Sequence, residues 1–278
     1  MPRYVFLSSI LLIYGCVTNF SDFSDVKRLE KEGYSEVSVK VSVKAFKFRF
    51  NGASYTAPSV QCGNGEGRSF LMVIPQQRAS ADEKFCKSGA AQALLSSGYT
   101  VYAVFTPEAP PEIFIHGFGG KLALASVRSF IRGLGLKGET IQGIWGVGEA
   151  VVTAAIYSRE NPQLEVAIFA SGFFDMESTL ANTKDASIRE KIEKLRNLGG
   201  EEAIEERSIA WDPSGFPKKV FVYHGEKDEV SPKEDASGFR EALATAGTQV
   251  ELVIITGSSH NISDKQHFSL IFSFLNKK

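Results

Sequence analysis

The chain has 278 residues, of which 43% are hydrophobic and 23% are charged, and its formal net charge is −1. This length is enough for one large α/β domain with a substantial core. The near-zero charge excludes a strong electrostatic attraction to nucleic acid or to an anionic membrane. The sequence has no phosphate-binding loop and no metal-ligand spacing, so we expect no nucleic-acid partner, no metal and no cofactor.

The first residues are typical of an export signal. Arg3 precedes a mostly apolar stretch, residues 4–14, which is too short to span a bilayer because spanning takes about 20 residues. The stretch leads into Gly15-Cys16, which resembles the cleavage box of bacterial lipoproteins. We therefore expect a signal peptide over 1–15, a tether over 16–34 and a lipid on Cys16 that anchors the protein in the bacterial cell envelope. The alternative is an ordinary signal peptide on a secreted protein.

The first strands are indicated by residues that alternate with period two. Val37–Val43 carries valine at every second position, and Phe46–Phe50 carries phenylalanine on the opposite parity. Such a change of parity predicts a bulge or a break between two strands. Asn51-Gly52 then predicts a hairpin turn.

Further along the chain, strands alternate with helices. Strands are predicted at 70–75, 99–105, 140–145, 164–171, 219–224 and 249–256, and helices at 82–97, 121–132, 149–157, 237–246 and 266–275. This alternation predicts a mostly parallel, doubly wound sheet, preceded by antiparallel strands, in one domain over 35–278. The charged segment 176–217 carries helix-prone stretches at 188–198 and 201–207, and we expect it to form a small lid-like insertion.

Cys62 and Cys86 are the two cysteines left if Cys16 carries a lipid. An even number of cysteines in an exported protein allows a disulfide. Two separate buried thiols are equally consistent with the sequence, because free cysteine packs as a small hydrophobic residue.

Three segments carry residues of catalytic type directly after predicted strands. Gly146-Val147-Gly148-Glu149-Ala150 joins a strand to a helix, which is the setting of a G-x-S-x-G nucleophile turn, but its central residue is Gly148. Asp228 follows the strand at 219–224, and His260 follows the next strand. The order nucleophile turn, acid, histidine is the order of the α/β-hydrolases.

These segments, together with Ala170–Asp175, resemble the α/β-hydrolase superfamily, in particular its prolyl-oligopeptidase-like and dienelactone-hydrolase-like branches. The resemblance implies an α/β-hydrolase fold, Asp228 as the acid of a catalytic triad and His260 as its base. It also implies a nucleophile at position 148, where this chain has glycine. The oxyanion donors implied are the backbone N–H of Glu149 and one from the loop Pro75–Arg78, with Gln76 as the candidate.

A second glycine-rich segment, His116–Gly120, looks similar to an oxyanion motif. It lies too close to position 148 to leave room for a helix, a strand and a helix in between, so we interpret it as a loop that lines the site; the alternative is that it is the oxyanion motif itself. None of Glu149, Thr153 and Ser171 is expected to replace the missing serine, because none should reach both His260 and an oxyanion site.

Two functions follow from this pattern. One is an impaired member of the serine ester and peptide hydrolase lineage, retained to bind a small ester or peptide ligand or a protein. The other is an active hydrolase that uses water or an unorthodox nucleophile with Asp228 and His260. A third interpretation is that Gly148 is an engineered replacement in an active enzyme.

Overall fold

The computed structural model describes residues 36–65, 67–76, 79–135 and 140–277. The predicted signal peptide, the tether and Cys16 therefore lie outside the described residues. Within the described ranges, no helix has both the length and the apolar character needed to cross a membrane.

At the centre of the domain, the described residues form one sheet of eight strands in the order β1-β2-β4-β3-β5-β6-β7-β8. β2 pairs antiparallel with both β1 and β4, and every other neighbouring pair is parallel. This topology confirms the predicted mostly parallel sheet with antiparallel strands at its start. The strands are β1 Val41–Phe50, β2 Ala53–Cys62, β3 Arg68–Pro75, β4 Tyr99–Thr106, β5 Ile141–Val147, β6 Val166–Ala170, β7 Lys219–Gly225 and β8 Gln249–Ile255.

Helices cover both faces of the sheet. In the described residues they are α1 Gly89–Ser96, α2 Lys121–Gly135, α3 Ala150–Glu160, α4 Met176–Asn182, α5 Ala186–Glu205, α6 Lys233–Thr245 and α7 Asp264–Leu275, with short 3-10 helices at Glu83–Lys87, Pro111–His116 and Ile209–Trp211. The single helix expected over 82–97 is divided, because Ser88 has extended backbone and caps α1 with its hydroxyl.

The expected bulge in the first strand is wrong. β1 and β2 pair in unbroken register from Val41 opposite Cys62 to Phe50 opposite Ala53. Val41 packs into the core on the α1 and α7 side, whereas Phe48 packs on the opposite face against Leu122 of α2. The parity of the apolar residues changes because the buried face changes along a regular strand. The turn after β1 is the predicted hairpin, with positive φ at Asn51 and Gly52.

The insertion at 176–217 is part of the helical layer. Ile192, Leu195 and Ile204 are fully buried in the core cluster between the sheet and its helices. The two predicted helices are the two parts of α5, which Gly200 interrupts with a φ of 66°.

Cys62 and Cys86 form a disulfide, with a sequence separation of 24 residues. It joins the end of β2 to the 3-10 helix before α1. Of the two alternatives that the sequence left open, the structure has the disulfide.

Candidate active site

The turn after β5 places Gly148 where the sequence predicts a nucleophile. Gly148 has a φ of 57°, in the left-handed region that glycine tolerates at little cost. Its N–H donates to the carbonyl of Ala170 in β6 at 3.0 Å, and its carbonyl accepts from the N–H of Val151 in α3 at 3.1 Å. These bonds hold position 148 between the end of β5, the neighbouring strand and the first turn of α3.

Gly146 allows α3 to pack directly on β5. A Cβ at this position would lie 2.8 Å from the Cβ of Ala154 and 3.0 Å from the carbonyl oxygen of Ala150. Real Cβ atoms essentially never approach a neighbour to 2.8 Å. The first glycine of the motif is therefore required by packing, whatever occupies position 148.

Asp228 and His260 meet at the carboxyl end of the sheet, as the sequence predicts. The loop after β7 carries Asp228, and the loop between β8 and α7 carries His260. Nδ1 of His260 lies 2.8 Å from Oδ2 of Asp228, and the Asp228 side chain is fully buried. The other carboxylate oxygen accepts hydrogen bonds from the N–H groups of Val230 at 2.9 Å and Ser231 at 3.0 Å.

The hydrogen bond to Asp228 fixes the tautomer of His260. An ionised carboxylate only accepts, so Nδ1 of His260 donates, and in the neutral ring Nε2 carries the lone pair. This is the arrangement of a general base oriented by an acid. It is the chemistry that the sequence predicts for the pair.

A second histidine contacts the same carboxylate. Nε2 of His224 lies 3.1 Å from Oδ2 of Asp228 and 2.9 Å from the carbonyl oxygen of Ser231. A carbonyl oxygen cannot donate, so Nε2 of His224 carries the proton. From the sequence, residue 224 is predicted only as the end of a strand, and His224 is not predicted as a site residue. Its spacing of four residues from Asp228 is the signal that could have found it.

The two histidines determine the charge state of Asp228. Burial alone would raise the pKa of its carboxyl group, but hydrogen bonds from His224 and His260 outweigh burial. Together they hold the pKa of Asp228 well below its ordinary value. The acid is therefore ionised at neutral pH.

Aromatic rings support His260 on its other side. The ring centroid of Phe173 lies 6.2 Å from that of His260, and the ring of Phe118 lies 5.2 Å from Phe173. Phe118 belongs to the glycine-rich segment His116–Gly120 that precedes α2. This segment also lines a cavity of about 50 Å³ beside Glu149, which agrees with its interpretation as a loop lining the site.

Arg207 holds this loop in place. Its guanidinium is fully buried and donates to the carbonyl oxygens of four residues, Ile115, Gly117, Phe118 and Ala203. Burial lowers the pKa of Arg207 to about 10, so it remains charged at neutral pH. Ile115 belongs to the 3-10 helix Pro111–His116, and Gly117 and Phe118 belong to the loop before α2. Arg207 therefore fixes the orientation of these three carbonyls.

The two expected oxyanion donors differ in their setting. Glu149 lies directly after Gly148, as expected, at the start of α3. The N–H of Gln76, however, donates to the carbonyl of Thr106 at 3.1 Å, so in this structure it is already used by the end of β4. The following residues, 77 and 78, lie outside the described residues.

The neighbouring hydroxyl groups do not supply the missing nucleophile. Thr153 donates its hydroxyl to the carbonyl of Gly119 at 2.7 Å. Ser171 is fully buried, with a φ of 45°, and its hydroxyl has no hydrogen-bond partner among the described residues. A fully buried hydroxyl is not accessible to a substrate. Among the described residues, no group of three or more His, Cys, Asp or Glu side chains is arranged to hold a metal ion.

The second half of the chain matches a known protein family. Residues 144–278 match the model of the prolyl oligopeptidase family. This range contains Gly148, Asp228 and His260. A search of curated proteins gave no significant match.

Solved structures share the fold at low sequence identity. A puromycin-hydrolyzing peptidase from Mycobacterium tuberculosis has a TM-score of 0.67 at 16% identity, over 85% of this chain and 38% of its own. An acylaminoacyl peptidase from Pyrococcus horikoshii has a TM-score of 0.63 at 13% identity, over 86% of this chain and 41% of its own. Carboxyl esterase 2 from Tuber melanosporum has a TM-score of 0.61 at 12% identity, over 87% of both chains. The chain thus spans about two fifths of the two peptidases and most of the esterase.

Proposed function

We propose that the chain is a catalytically impaired member of the serine ester and peptide hydrolase lineage, because residues 144–278 match the prolyl oligopeptidase family and solved peptidases and an esterase share its fold. The single observation that carries the proposal is that Gly148 occupies the turn after β5 while Asp228 and His260 remain paired. The acid and the base are present, and the attacking oxygen is missing.

The missing oxygen has a large expected cost. Removing the serine of a working triad lowers turnover by about a millionfold. Glycine is also the residue that relieves backbone strain at a left-handed position, where a side chain with a Cβ costs about 1–3 kcal/mol. Glycine at position 148 therefore stabilises the fold but cannot carry out acyl transfer. We propose that the site is retained to bind a small ester or peptide ligand, or a protein.

A second candidate function is direct hydrolysis by water. The Asp228–His260 hydrogen bond favours it, because it leaves the lone pair of His260 on Nε2, as a general base requires. In this mechanism Nε2 removes a proton from water as the water oxygen attacks the ester carbonyl. The tetrahedral adduct then breaks its bond to the alkoxide, which leaves as the alcohol with the proton returned by Nε2, and no acyl-enzyme forms. Glu149 would be the remaining oxyanion donor of the predicted pair.

Labelling with a fluorophosphonate distinguishes these functions. We expect no label on the unaltered protein and clear labelling of Gly148→Ser that is lost when His260→Ala is added. Gly148→Ala has the same added Cβ without the hydroxyl and serves as the control for backbone strain. Label on the unaltered protein near position 148 would overturn the impaired function. Ester turnover that is lost in His260→Ala, without any label, would support the water mechanism. A well-folded Gly148→Ser that takes no label would leave binding as the remaining function.

We also propose that a lipid on Cys16 anchors the protein to a membrane of the bacterial cell envelope, and secretion without an anchor is the alternative. The Cys62–Cys86 disulfide supports a location outside the reducing cytoplasm. Metabolic labelling with a radioactive fatty acid tests the anchor. Label is expected on the unaltered protein and not on Cys16→Ser, and an unlabelled native protein would favour secretion.

A further inference from the structure

A large cavity lies on the face of the sheet that carries α1 and α7. It has a volume of about 590 Å³, within the range of about 300–1,000 Å³ that is usual for small-molecule sites. Its walls come from β3, β5, the 3-10 helix Glu83–Lys87, α1 and the start of α7. The cavity beside Glu149 is far smaller, at about 50 Å³.

The deep part of this cavity is apolar. Met72, Ile74, Phe85 and Trp145 line it, and each of these side chains is less than 9% exposed. Rings and alkyl groups of this kind offer a ligand apolar surface without requiring a polar partner. The floor therefore fits the flat face of an aromatic ring.

The polar atoms behind the floor are satisfied within the protein. Nε1 of Trp145 donates to the hydroxyl of Tyr223 at 2.9 Å, and that hydroxyl lies 2.7 Å from Nδ1 of His267. Tyr223 is fully buried, so its hydroxyl proton needs an acceptor, and Nδ1 of His267 is the acceptor in reach. This chain of hydrogen bonds fixes the indole of Trp145, and its N–H needs no hydrogen-bond acceptor from a ligand.

The rim of the cavity has a small excess of negative charge. Asp82, Asp264 and Lys84 line it. Asp82 accepts from the backbone N–H of Lys84 and Asp264 from that of Gly89, both at 2.8 Å. The two carboxylates are thus fixed by the backbone, and with one lysine they leave a net charge of −1. An anionic ligand is disfavoured by this rim.

The cavity borders the candidate active site. Val147 precedes Gly148 and Asn261 follows His260, and both residues line the cavity. The cavity therefore shares the end of β5 and the loop between β8 and α7 with the candidate active site.

We propose that this cavity binds an uncharged aromatic small molecule, with its ring on the floor at Trp145 and its polar group at the rim. The inference rests on the proposed binding function and names the chemical class of its ligand. It assigns the ligand to the face of the sheet covered by α1 and α7.

Tryptophan fluorescence offers a direct test. The chain has two tryptophans, and the other one, Trp211, is 49% exposed. In Trp211→Phe the remaining indole lines the cavity. The probe is 4-nitrobenzyl alcohol, whose nitro group quenches indole fluorescence. The matched anion is 4-nitrobenzoate, and free N-acetyltryptophanamide corrects for absorption by the probes.

We expect saturable quenching of Trp211→Phe by the alcohol. Quenching by the benzoate should need about fivefold higher concentration, as expected for one net negative charge a few ångströms away in water. Adding Val147→Phe fills part of the cavity and should abolish saturation. Val43→Phe, the same change at a valine that is 44% exposed in β1, should leave it unchanged.

Quenching that stays linear with concentration, that persists in Val147→Phe, or that is equally strong with the benzoate would overturn the inference. If Val147→Phe fails to fold, as thermal unfolding would reveal, Asn261→Phe at the exposed rim takes its place. Fluorophosphonate labelling depends on position 148 and His260, so a failure of the cavity to bind and a failure of the proposed function give separate signals.

Discussion

His224 and Asp228 meet inside the protein through the same carboxylate oxygen that holds His260. Nε2 of His224 lies 3.1 Å from Oδ2 of Asp228, and both side chains are fully buried. His224 is thus an internal support for Asp228, whereas His260 is the histidine that we propose as the base. A change at His224 should therefore affect stability and the acid together.

We expect His224→Phe to lower the free energy of unfolding by about 1.5–3 kcal/mol, because a buried carboxylate loses a hydrogen bond from an imidazole. Urea unfolding at pH 7 measures the loss. Asp228→Asn and the double variant complete a double-mutant cycle. If the losses of unfolding free energy in the two single variants sum to the loss in the double variant, the contact between His224 and Asp228 contributes nothing to stability.

Asp235 should make stability depend on pH in the neutral range. Its carboxylate accepts from the hydroxyls of Ser178 at 2.5 Å and Thr179 at 3.1 Å. Burial raises the pKa of Asp235 to about 6, although these hydrogen bonds oppose the rise. The folded state then binds a proton more tightly than the unfolded state, so the free energy of unfolding should increase as pH falls from 7 towards 4.

Asp235→Asn should remove this slope and stabilise the protein at pH 7 by about 2–3 kcal/mol, since two pKa units correspond to that energy. Thermal unfolding across this pH range measures both effects. Glu234→Gln, at an exposed neighbouring acid, is the matched charge control. A slope that survives in Asp235→Asn would assign the titration to another group.

Alanine substitutions at Gly146 and at Gly133 form a matched pair that tests how tightly α3 packs on β5. Gly146→Ala should destabilise the protein by about 1–3 kcal/mol, because the added Cβ meets Ala154 and the backbone of Ala150. Gly133 lies within α2, and a Cβ there meets nothing within 4 Å. Gly133→Ala should therefore stabilise by about 0.5–1 kcal/mol through helix propensity. Chemical unfolding of both variants tests the difference in sign, and a shared sign would contradict it.

The Cys62–Cys86 disulfide should contribute about 3 kcal/mol, as expected for a closed loop of roughly 25 residues. A reducing agent should lower the unfolding temperature of the native protein accordingly. In a double variant with serine at both positions, the reducing agent should have no effect. An unchanged unfolding temperature for the native protein, with reduction verified by mass spectrometry, would show that the bond is dispensable.

The sequence predicts those parts of the site in which a residue directly follows a strand. Gly148, Asp228 and His260 are of this kind, because the carboxyl ends of parallel strands meet at one edge of a sheet. His224 lies within β7, and its role depends on a loop that folds back over four residues. The bond from Gln76 to Thr106 depends on the register of two strands that are remote in sequence. Contacts of this kind are determined by tertiary packing and leave no local pattern.

The wrong predictions about the fold likewise concern features that tertiary packing determines. The alternation along β1 records which face is buried at each point, and it does not identify the helices that cover the two faces. The division of the helix predicted over 82–97 depends on the hydroxyl of Ser88, which caps α1. Serine occurs both inside helices and at their starts, so the composition alone predicts one continuous helix.

The buried guanidinium of Arg207 joins the end of α5 to the chain just before α2. Arg207 follows α5 and binds the carbonyls of Ile115, Gly117 and Phe118. Swinging α5 outward would expose these carbonyls and separate a buried cation from its acceptors, which is costly. We therefore expect the end of the segment 176–217 and the chain just before α2 to move together.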